Sequence, residues 1–358
     1  MGDLTEQQQK VSILLKKSPL IISGPCSAET EEQVMQTAIR LAATGKVDIM
    51  RAGIWKPRTR PGAFEGAGDE GIKWLKDIRD EFGIEVITEV ANPQHVQKIL
   101  DAGFKKCWVG ARTTSNPFSV QELAESLAGT PLTVLVKNPT NPDVKLWIGG
   151  IERMQKAGVS EVIAVHRGFS TYEKKKYRNI PNWQLPLDLK KEFPSIPLLC
   201  DPSHISGIAA NVPMVAQMAV DLKFDGLMVE VHHSPTEAWT DAKQQLSCDA
   251  FLHMVDSLAI RNREAIDQEE IRELRADLSV IDEQLIRLLV QRMELSERIG
   301  AYKKRNHLVI FQTEQWKESL DKFIKLAEEL DLSAEFATEL FKLIHQESIA
   351  IQSKVFET

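Results

Sequence analysis

Between residues 20 and 232 the chain repeats one pattern: a short, β-branched apolar run ending on a polar or charged residue, then a loop, then a stretch with apolar residues at helical spacing. The runs cover 20–25, 47–53, 84–90, 106–111, 133–138, 162–168, 197–201 and 226–232. Between them, helical spacing predicts helices at 31–44, 70–82 and 92–102. Eight buried strands alternating with helices over ~250 residues predict an α/β fold of the (β/α)8 barrel kind, with an open doubly wound sheet as the alternative. In such a barrel the reactive groups gather at the carboxyl ends of the strands.

The tail reads differently. Ile271, Leu274, Leu278, Ile281, Leu285, Leu288, Arg292, Leu295 and Ile299 follow one another at spacings of three and four, with no proline from 267 to 305. One helix of roughly 55 to 60 Å is predicted, too long for its small all-helical domain to cover, so a partner chain and at least a homodimer are expected. Two shorter helices follow at 314–330 and 334–356, the last with Ser333 as N-cap.

Composition sharpens the boundary. All 16 prolines lie at or before Pro235, and Gly300 is the only glycine beyond Gly226. From Ala265 onward 13 Lys and Arg face 19 Asp and Glu, leaving 31 against 32 before it, so the tail carries most of the net charge of −7. The expected organisation is a barrel domain over 1–256, a linker over 257–267 and a helical domain over 268–358. A hydrophobic share of 43% with 27% charged residues excludes disorder. No apolar run reaches the ~20 residues of a membrane span, and the polar start lacks the features of a signal peptide. Cys26, Cys107, Cys200 and Cys248, none closely paired, fit a reducing cytoplasmic setting. Without a long basic run, a nucleic-acid partner is not expected.

The strand ends carry the candidate chemistry: Cys26, Arg51 followed by Lys56, Glu89, Arg112, Lys137, His166 with Arg167, Asp201 leading to His204, and Glu230. A closed barrel sets strand eight beside strand one, so Cys26, His204 and Glu230 come from neighbouring strands, with Asp241 in the loop after the eighth. A thiol, an imidazole and two carboxylates suit Mn, Fe, Co or Zn better than Mg or Ca. Any one of them alone would more often be core or surface; the four together make a metal set. Arg51, Lys56, Arg112, Lys137 and Arg167 concentrate positive charge at the same mouth, which fits a phosphorylated, carboxylated small molecule. Cys107 and Cys200 read as core, and His232 and His233 as loop residues beside the metal set.

In order along the chain, Gly24-Pro25-Cys26-Ser27, Lys56-Pro57-Arg58-Thr59, Gly110-Ala111-Arg112, His166-Arg167-Gly168, Asp201-Pro202-Ser203-His204 and the run from Leu227 to His232 resemble the motifs of the 3-deoxy-D-arabino-heptulosonate 7-phosphate (DAHP) synthase family. The short lead is similar to its type Iβ branch without a ferredoxin-like N-terminal domain. The resemblance implies a metal-dependent condensation of phosphoenolpyruvate with erythrose 4-phosphate, the entry to aromatic amino acid biosynthesis. It implies Cys26, His204, Glu230 and Asp241 as ligands of a divalent metal, Mn2+ foremost. Arg51, Lys56, Arg112, Lys137 and Arg167 match the phosphoenolpyruvate cradle. Pro57, Arg58, Thr59 and Asp241 match the aldose-phosphate site. Lys56, Cys26 and His204 are the expected catalytic residues, Lys56 as a proton donor. Related octulosonate-phosphate and sialic acid synthases are the rival reading, against which the Lys56-Pro57-Arg58-Thr59 motif argues.

In the tail, Arg275, Arg292, Lys303, Ser348 and Gln352 resemble the chorismate-binding array of the all-helical chorismate mutases, with Arg275 supplied by a partner chain. Arg292 occupies a seam position where an apolar residue is expected and so calls for an anionic partner. The family's second-helix arginine is replaced: Gln315 and Trp316 stand there. A neutral amide cannot stand in for a guanidinium, which costs ~2 to 4 kcal/mol of transition-state binding. The tail is therefore expected either to convert chorismate to prephenate or to serve as a prephenate-sensing and dimerisation module.

Overall fold

The structure is a computed structural model that describes residues 19–56, 62, 64–171, 176–261 and 269–357. Every apolar run of the first part holds a strand: β1 Leu20–Gly24, β2 Ile49–Arg51, β3 Glu85–Val90, β4 Lys106–Val109, β5 Thr133–Lys137, β6 Glu161–His166, β7 Leu198–Cys200 and β8 Gly226–Glu230. All neighbours are parallel, and β8 pairs with β1 from Leu20 opposite Gly226 to Gly24 opposite Glu230. The sheet closes into a barrel in sequence order, which settles the choice against the open sheet. Most strands are shorter than their runs because the last residues turn into the loops that carry the site, although β3 runs to the end of its run at Val90.

Alternation along each strand sends side chains to two cores. Leu20, Ile22, Ile49, Ile87, Trp108 and Leu135 fill the barrel interior with residues of β6 to β8. The opposite faces, such as Ile21, Met50, Val86 and Val134, pack under the helices. Those helices are α1 Glu31–Thr44, α2 Asp69–Phe82, α3 Pro93–Asp101, the short α4 Ala111–Thr114, α5 Pro117–Ser126, α6 Val144–Lys156, α7 Gln184–Glu192, the short α8 Pro202–Ser206, α9 Val212–Asp221 and α10 Cys248–Ser257. Their starts are encoded locally: Thr30, Asn92, Asp143 and Ser247 each accept a hydrogen bond from a first-turn backbone N–H.

The chain divides into two compact units, Met1–Arg263 and Glu264–Thr358. The second contains α11 Glu269–Arg305, α12 Thr313–Glu329 and α13 Ala334–Glu357. Ser333 caps α13 as expected, its Oγ accepting from the Phe336 N–H at 3.4 Å. At 37 residues α11 is about 55 Å long. It packs on α13, as does α12. Its seam residues Ile271, Leu274, Leu278, Ile281, Leu285, Leu288, Leu295 and Ile299 are 41% to 62% exposed, so this chain alone does not bury them. Among the described residues no helix is long and apolar enough to cross a membrane.

Candidate active site

Two local devices bring the first strand end into position. Gly24 has φ 148°, and a Cβ there would lie 2.1 Å from the Arg51 carbonyl, so β1 and β2 approach as only glycine allows. Beyond it the backbones of Cys26 and Gly53 exchange contact, the Gly53 N–H donating to the Cys26 carbonyl at 3.3 Å. Gln245 holds the Cys26 N–H at 3.0 Å from across β8. Asp241 sits in the left-handed region at φ 50°, a conformation aspartate tolerates better than most residues. On β7's far side Asp201 caps α8, accepting the His204 N–H at 3.1 Å.

These elements bring the expected metal donors together. Ligand atoms of Cys26, Glu230 and Asp241 all lie within 4.8 Å of one another. His204 stands beside this group rather than within it, its Nδ1 2.8 Å from Asp201 and 3.7 Å from Glu230 and its Nε2 4.0 Å from Asp241. Glu230 Oε1 is buried without a hydrogen-bond donor, although the Arg51 guanidinium stands 3.1 Å away as an ion pair. Soft sulfur, imidazole nitrogen, carboxylate oxygen and an unsatisfied buried acceptor fit a divalent transition metal. Burial, then the Glu230 carboxylate, push the Cys26 thiol up to about 12, so it keeps its proton until a cation displaces it. Burial opposes the charge on Glu230 too, but His204 and Arg51 outweigh it and hold the carboxyl below its ordinary range.

Above the donors opens a cleft of about 320 Å³. Four of the five expected cradle cations line it: Lys56, Arg112, Lys137 and Arg167. Lys137 Nζ is fixed by Asp201 at 2.7 Å. Arg167 is turned by Asn179, to whose side-chain oxygen it donates at 2.7 Å, and burial lowers its guanidinium to about 10. Lys56 Nζ lies 2.6 Å from Cys26 Sγ. Burial works against its charge, but Cys26 when ionised, and the Glu230 carboxylate, outweigh burial and raise it above an ordinary lysine. Arg51 differs: it lies beneath the cleft, 1% exposed, donating to the Cys26 carbonyl at 3.3 Å and facing Glu230. Pro57, Arg58 and Thr59 fall outside the described residues.

Several cleft residues escaped the strand-end pattern. Arg178 donates to Asp241 at 2.9 Å and to Gln244 at 2.6 Å, and Gln244 donates onward to Glu230 at 2.6 Å. They come from loops, and the alternation that finds strand ends is blind there. His232 is buried, with Nε2 3.9 Å from Glu29, as a residue beside the donor set rather than in it. Cys107 and Cys200 are core.

In the helical unit, Arg292 donates to Ser348 Oγ at 2.5 Å and stands 5.7 Å from the Phe341 ring centre. The anionic partner expected for it is not found among the described residues; the hydroxyl and the aromatic face serve instead, which a half-buried guanidinium accepts. Ser296 on α11 and Ser348 and Gln352 on α13 are buried, and a Cβ on Gly300 of α11 would lie 3.1 Å from the Gln352 backbone. Gln352 Oε1 is buried without a donor. Lys303 donates to the Ile310 carbonyl at 2.6 Å. Arg275, seventeen residues before Arg292 on one helix, is about 25 Å from it. Gln315 is exposed, its amide donating to Ser319 at 3.4 Å, while Trp316 stacks on His345 and Phe341.

A closed (β/α)8 barrel with a thiol, an imidazole and carboxylates gathered under a cationic mouth at the carboxyl ends of its strands has the layout of a (β/α)8-barrel enzyme. Residues 4–262 match the family model described as the DAHP synthetase I family, and residues 274–353 match chorismate mutase type II. The chain belongs to the DAHP synthetase I family and carries a C-terminal domain of the chorismate mutase type II family. It is 31% identical over 238 residues to a phospho-2-dehydro-3-deoxyheptonate aldolase of Thermotoga maritima, covering 66% of this chain and 68% of that one. It is 25% identical over 262 residues to a 2-dehydro-3-deoxyphosphooctonate aldolase of Nitratidesulfovibrio vulgaris, covering 67% and 90%. Among solved structures, a DAHP synthase of Thermotoga maritima superposes with a TM-score of 0.60 at 29% identity, covering 72% of this chain and 70% of that one. A truncated form of DAHP synthase from the same organism gives 0.57 at 26% identity, covering 72% and 87%.

Proposed function

We propose that the barrel joins phosphoenolpyruvate to erythrose 4-phosphate, releasing DAHP and inorganic phosphate. The observation that carries this reading is the convergence of Lys56, Arg112, Lys137 and Arg167 on one cleft directly beside Cys26, His204 and Asp241. In the reaction, C3 of the enol bonds to the aldehyde carbon, water adds at C2, and phosphate departs with cleavage of its bond to carbon. The cations bind and orient the phosphate and carboxylate of the enol substrate, so that its reactive face meets the aldehyde rather than water. Lys56, protonated at Nζ, delivers a proton to the oxygen that the aldehyde carbon gives up to negative charge. Arg58 and Thr59, with Pro57 and Asp241, are proposed to take the aldose phosphate. Cys26, His204, Glu230 and Asp241 would hold a divalent metal, Mn2+ foremost and Fe, Co or Zn as alternatives, which supplies Lewis acidity toward the aldehyde. The test is phosphate release from phosphoenolpyruvate with erythrose 4-phosphate or arabinose 5-phosphate as acceptor. Preference for the five-carbon sugar would sink the reading in favour of an octulosonate-type synthase.

For the helical unit we favour a chorismate- and prephenate-binding domain with a weakened mutase site, formed between two copies of this chain and reporting prephenate to the barrel. The exposed amide of Gln315, where the family carries a guanidinium, favours weakened over full activity. The uncovered seam of α11 supports a homodimer, to which Arg275 of a second copy would contribute. The second reading, a fully active mutase, rests on the Arg292–Ser348 pair and the unsatisfied Gln352. Chorismate disappearance on the full chain, beside a Gln315→Arg variant, separates them: rescue by arginine supports the first, and full turnover without it supports the second. We place the barrel at 1–256, the helical domain at 268–358 and the linker between, in a cytoplasmic enzyme whose four thiols stay unpaired.

A further inference from the structure

Trp108, on β4, is 1% exposed in the barrel interior. Its neighbours there are aliphatic, and a leucine or phenylalanine would fill the layer with less demand on its surroundings. Two cations nevertheless approach its ring: the Arg51 guanidinium carbon at 5.0 Å from the ring centre and Lys137 Nζ at 5.6 Å. Each has a carboxylate on its other side, Glu230 at 3.1 Å from Arg51 and Asp201 at 2.7 Å from Lys137.

The hydrogen bonds leave part of this charge unsolvated. Arg51 Nε and Nη1 are buried with no partner, although an ionised guanidinium out of water is costly. The negative face of an indole is the widest and most electron-rich that a side chain can offer a cation. The ring is tuned further: its Nε1 donates to Glu89 Oε2 at 3.1 Å, and donation to a carboxylate leaves more electron density on the indole. Glu89 and Lys137 both line the cleft, so one end of this arrangement is open to substrate and the other is sealed. The layer thus keeps two like charges close together before any anion arrives.

We infer that Trp108 is a positioning residue that holds Lys137 in the geometry that receives the anionic groups of the enol phosphate and fixes Arg51 in place beneath it, with Glu89 setting the electron density of its ring. The identity of that anion rests on the proposed condensation.

The test replaces Trp108 site-specifically with mono- to tetrafluorinated tryptophans in the full-length, Mn2+-loaded enzyme. Fluorine keeps the shape and the N–H while draining the π face. Expected is a stepwise rise in the phosphoenolpyruvate Kd by calorimetry, roughly 2- to 30-fold across the series. The KM for erythrose 4-phosphate and the melting temperature should stay level. A Kd that does not follow fluorination, or one that rises only in step with falling melting temperature, overturns the inference. Trp108→Phe, which keeps a ring without the N–H, should fall between the parent and Trp108→Leu. If the unmodified chain binds phosphoenolpyruvate but does not condense it with erythrose 4-phosphate, the proposed reaction fails while the fluorine series still decides the role of Trp108. If it binds no phosphoenolpyruvate, both fall.

Discussion

Lys56 Nζ stands 2.6 Å from Cys26 Sγ, with the Glu230 carboxylate acting on both groups. The thiol, buried and beside Glu230, holds its proton, and the ammonium keeps its charge. A donor that stays charged at neutral pH in reach of the reacting oxygen is what the proposed proton delivery needs. Lys56→Ala should lower kcat by about 100-fold or more in a phosphate-release assay, and near-normal turnover would remove the role. His166 offers a separate test at this scale. Its ring stands among Trp147, Phe169, Trp183 and Phe224, and burial holds it down to about 3 from an ordinary 6.5. The unfolded chain takes up a proton below pH 6.5 that the folded chain refuses. The stability contribution is therefore complete above that pH and is lost as pH falls toward 3, by about 1.4 kcal/mol per pH unit. Urea midpoints at pH 7.5 and pH 5 should fall less for His166→Leu than for the parent.

Among the elements, α11 shows the sharpest mismatch between pattern and burial. Its apolar seam follows heptad spacing, yet Leu278 is 57% and Leu288 62% exposed. An apolar stripe of this length is stable in water only when covered, and a copy of the same helix offers the same stripe. Leu278→Glu should halve the mass seen in sedimentation while leaving phosphate release by the barrel intact. An unchanged mass would show that another surface joins the copies. The two loop-rich stretches of the barrel teach the converse. Arg178 and Gln244, which clamp Asp241 and Glu230, stand in segments with no period of their own. No reading of hydrophobic alternation could reach them, whereas Ser333 was legible as a cap because a cap is decided within four residues.

On the scale of the whole chain, the barrel's charge is arranged rather than abundant. Four cations face one cleft whose wall also carries Glu89 and Asp241, and Asp201 pairs with Lys137. Removing divalent metal with a chelator should abolish phosphate release and lower the melting temperature of the barrel through lost linkage, and Mn2+ should restore both. Chorismate or prephenate affinity of the helical unit should not depend on that metal in barrel-free readouts such as direct binding at saturating chelator. Feedback, if prephenate slows the barrel, must be reciprocal: barrel substrates should shift prephenate affinity by the same factor.

The eight strands, the first three barrel helices, the three helices of the tail, the Ser333 cap, the composition break near residue 265 and the donor types at the strand ends were all determined by sequence alone, because each depends on near neighbours or on a period. The closure of β8 on β1 was inferable from the count of eight, and it explains why Cys26 and Glu230 could be paired on paper across some two hundred residues. Only the tertiary structure decided which cation reaches the cleft and which is held below it. Arg51 and Lys137 both end strands and look alike in sequence, yet one is sealed under Glu230 and the other opens to the mouth. Tertiary placement also replaced the anion expected beside Arg292 with Ser348 and Phe341. The reason is physical: the worth of a charge depends on distances and desolvation in three dimensions, which residues far apart along the chain establish only when the barrel and the helices close around them.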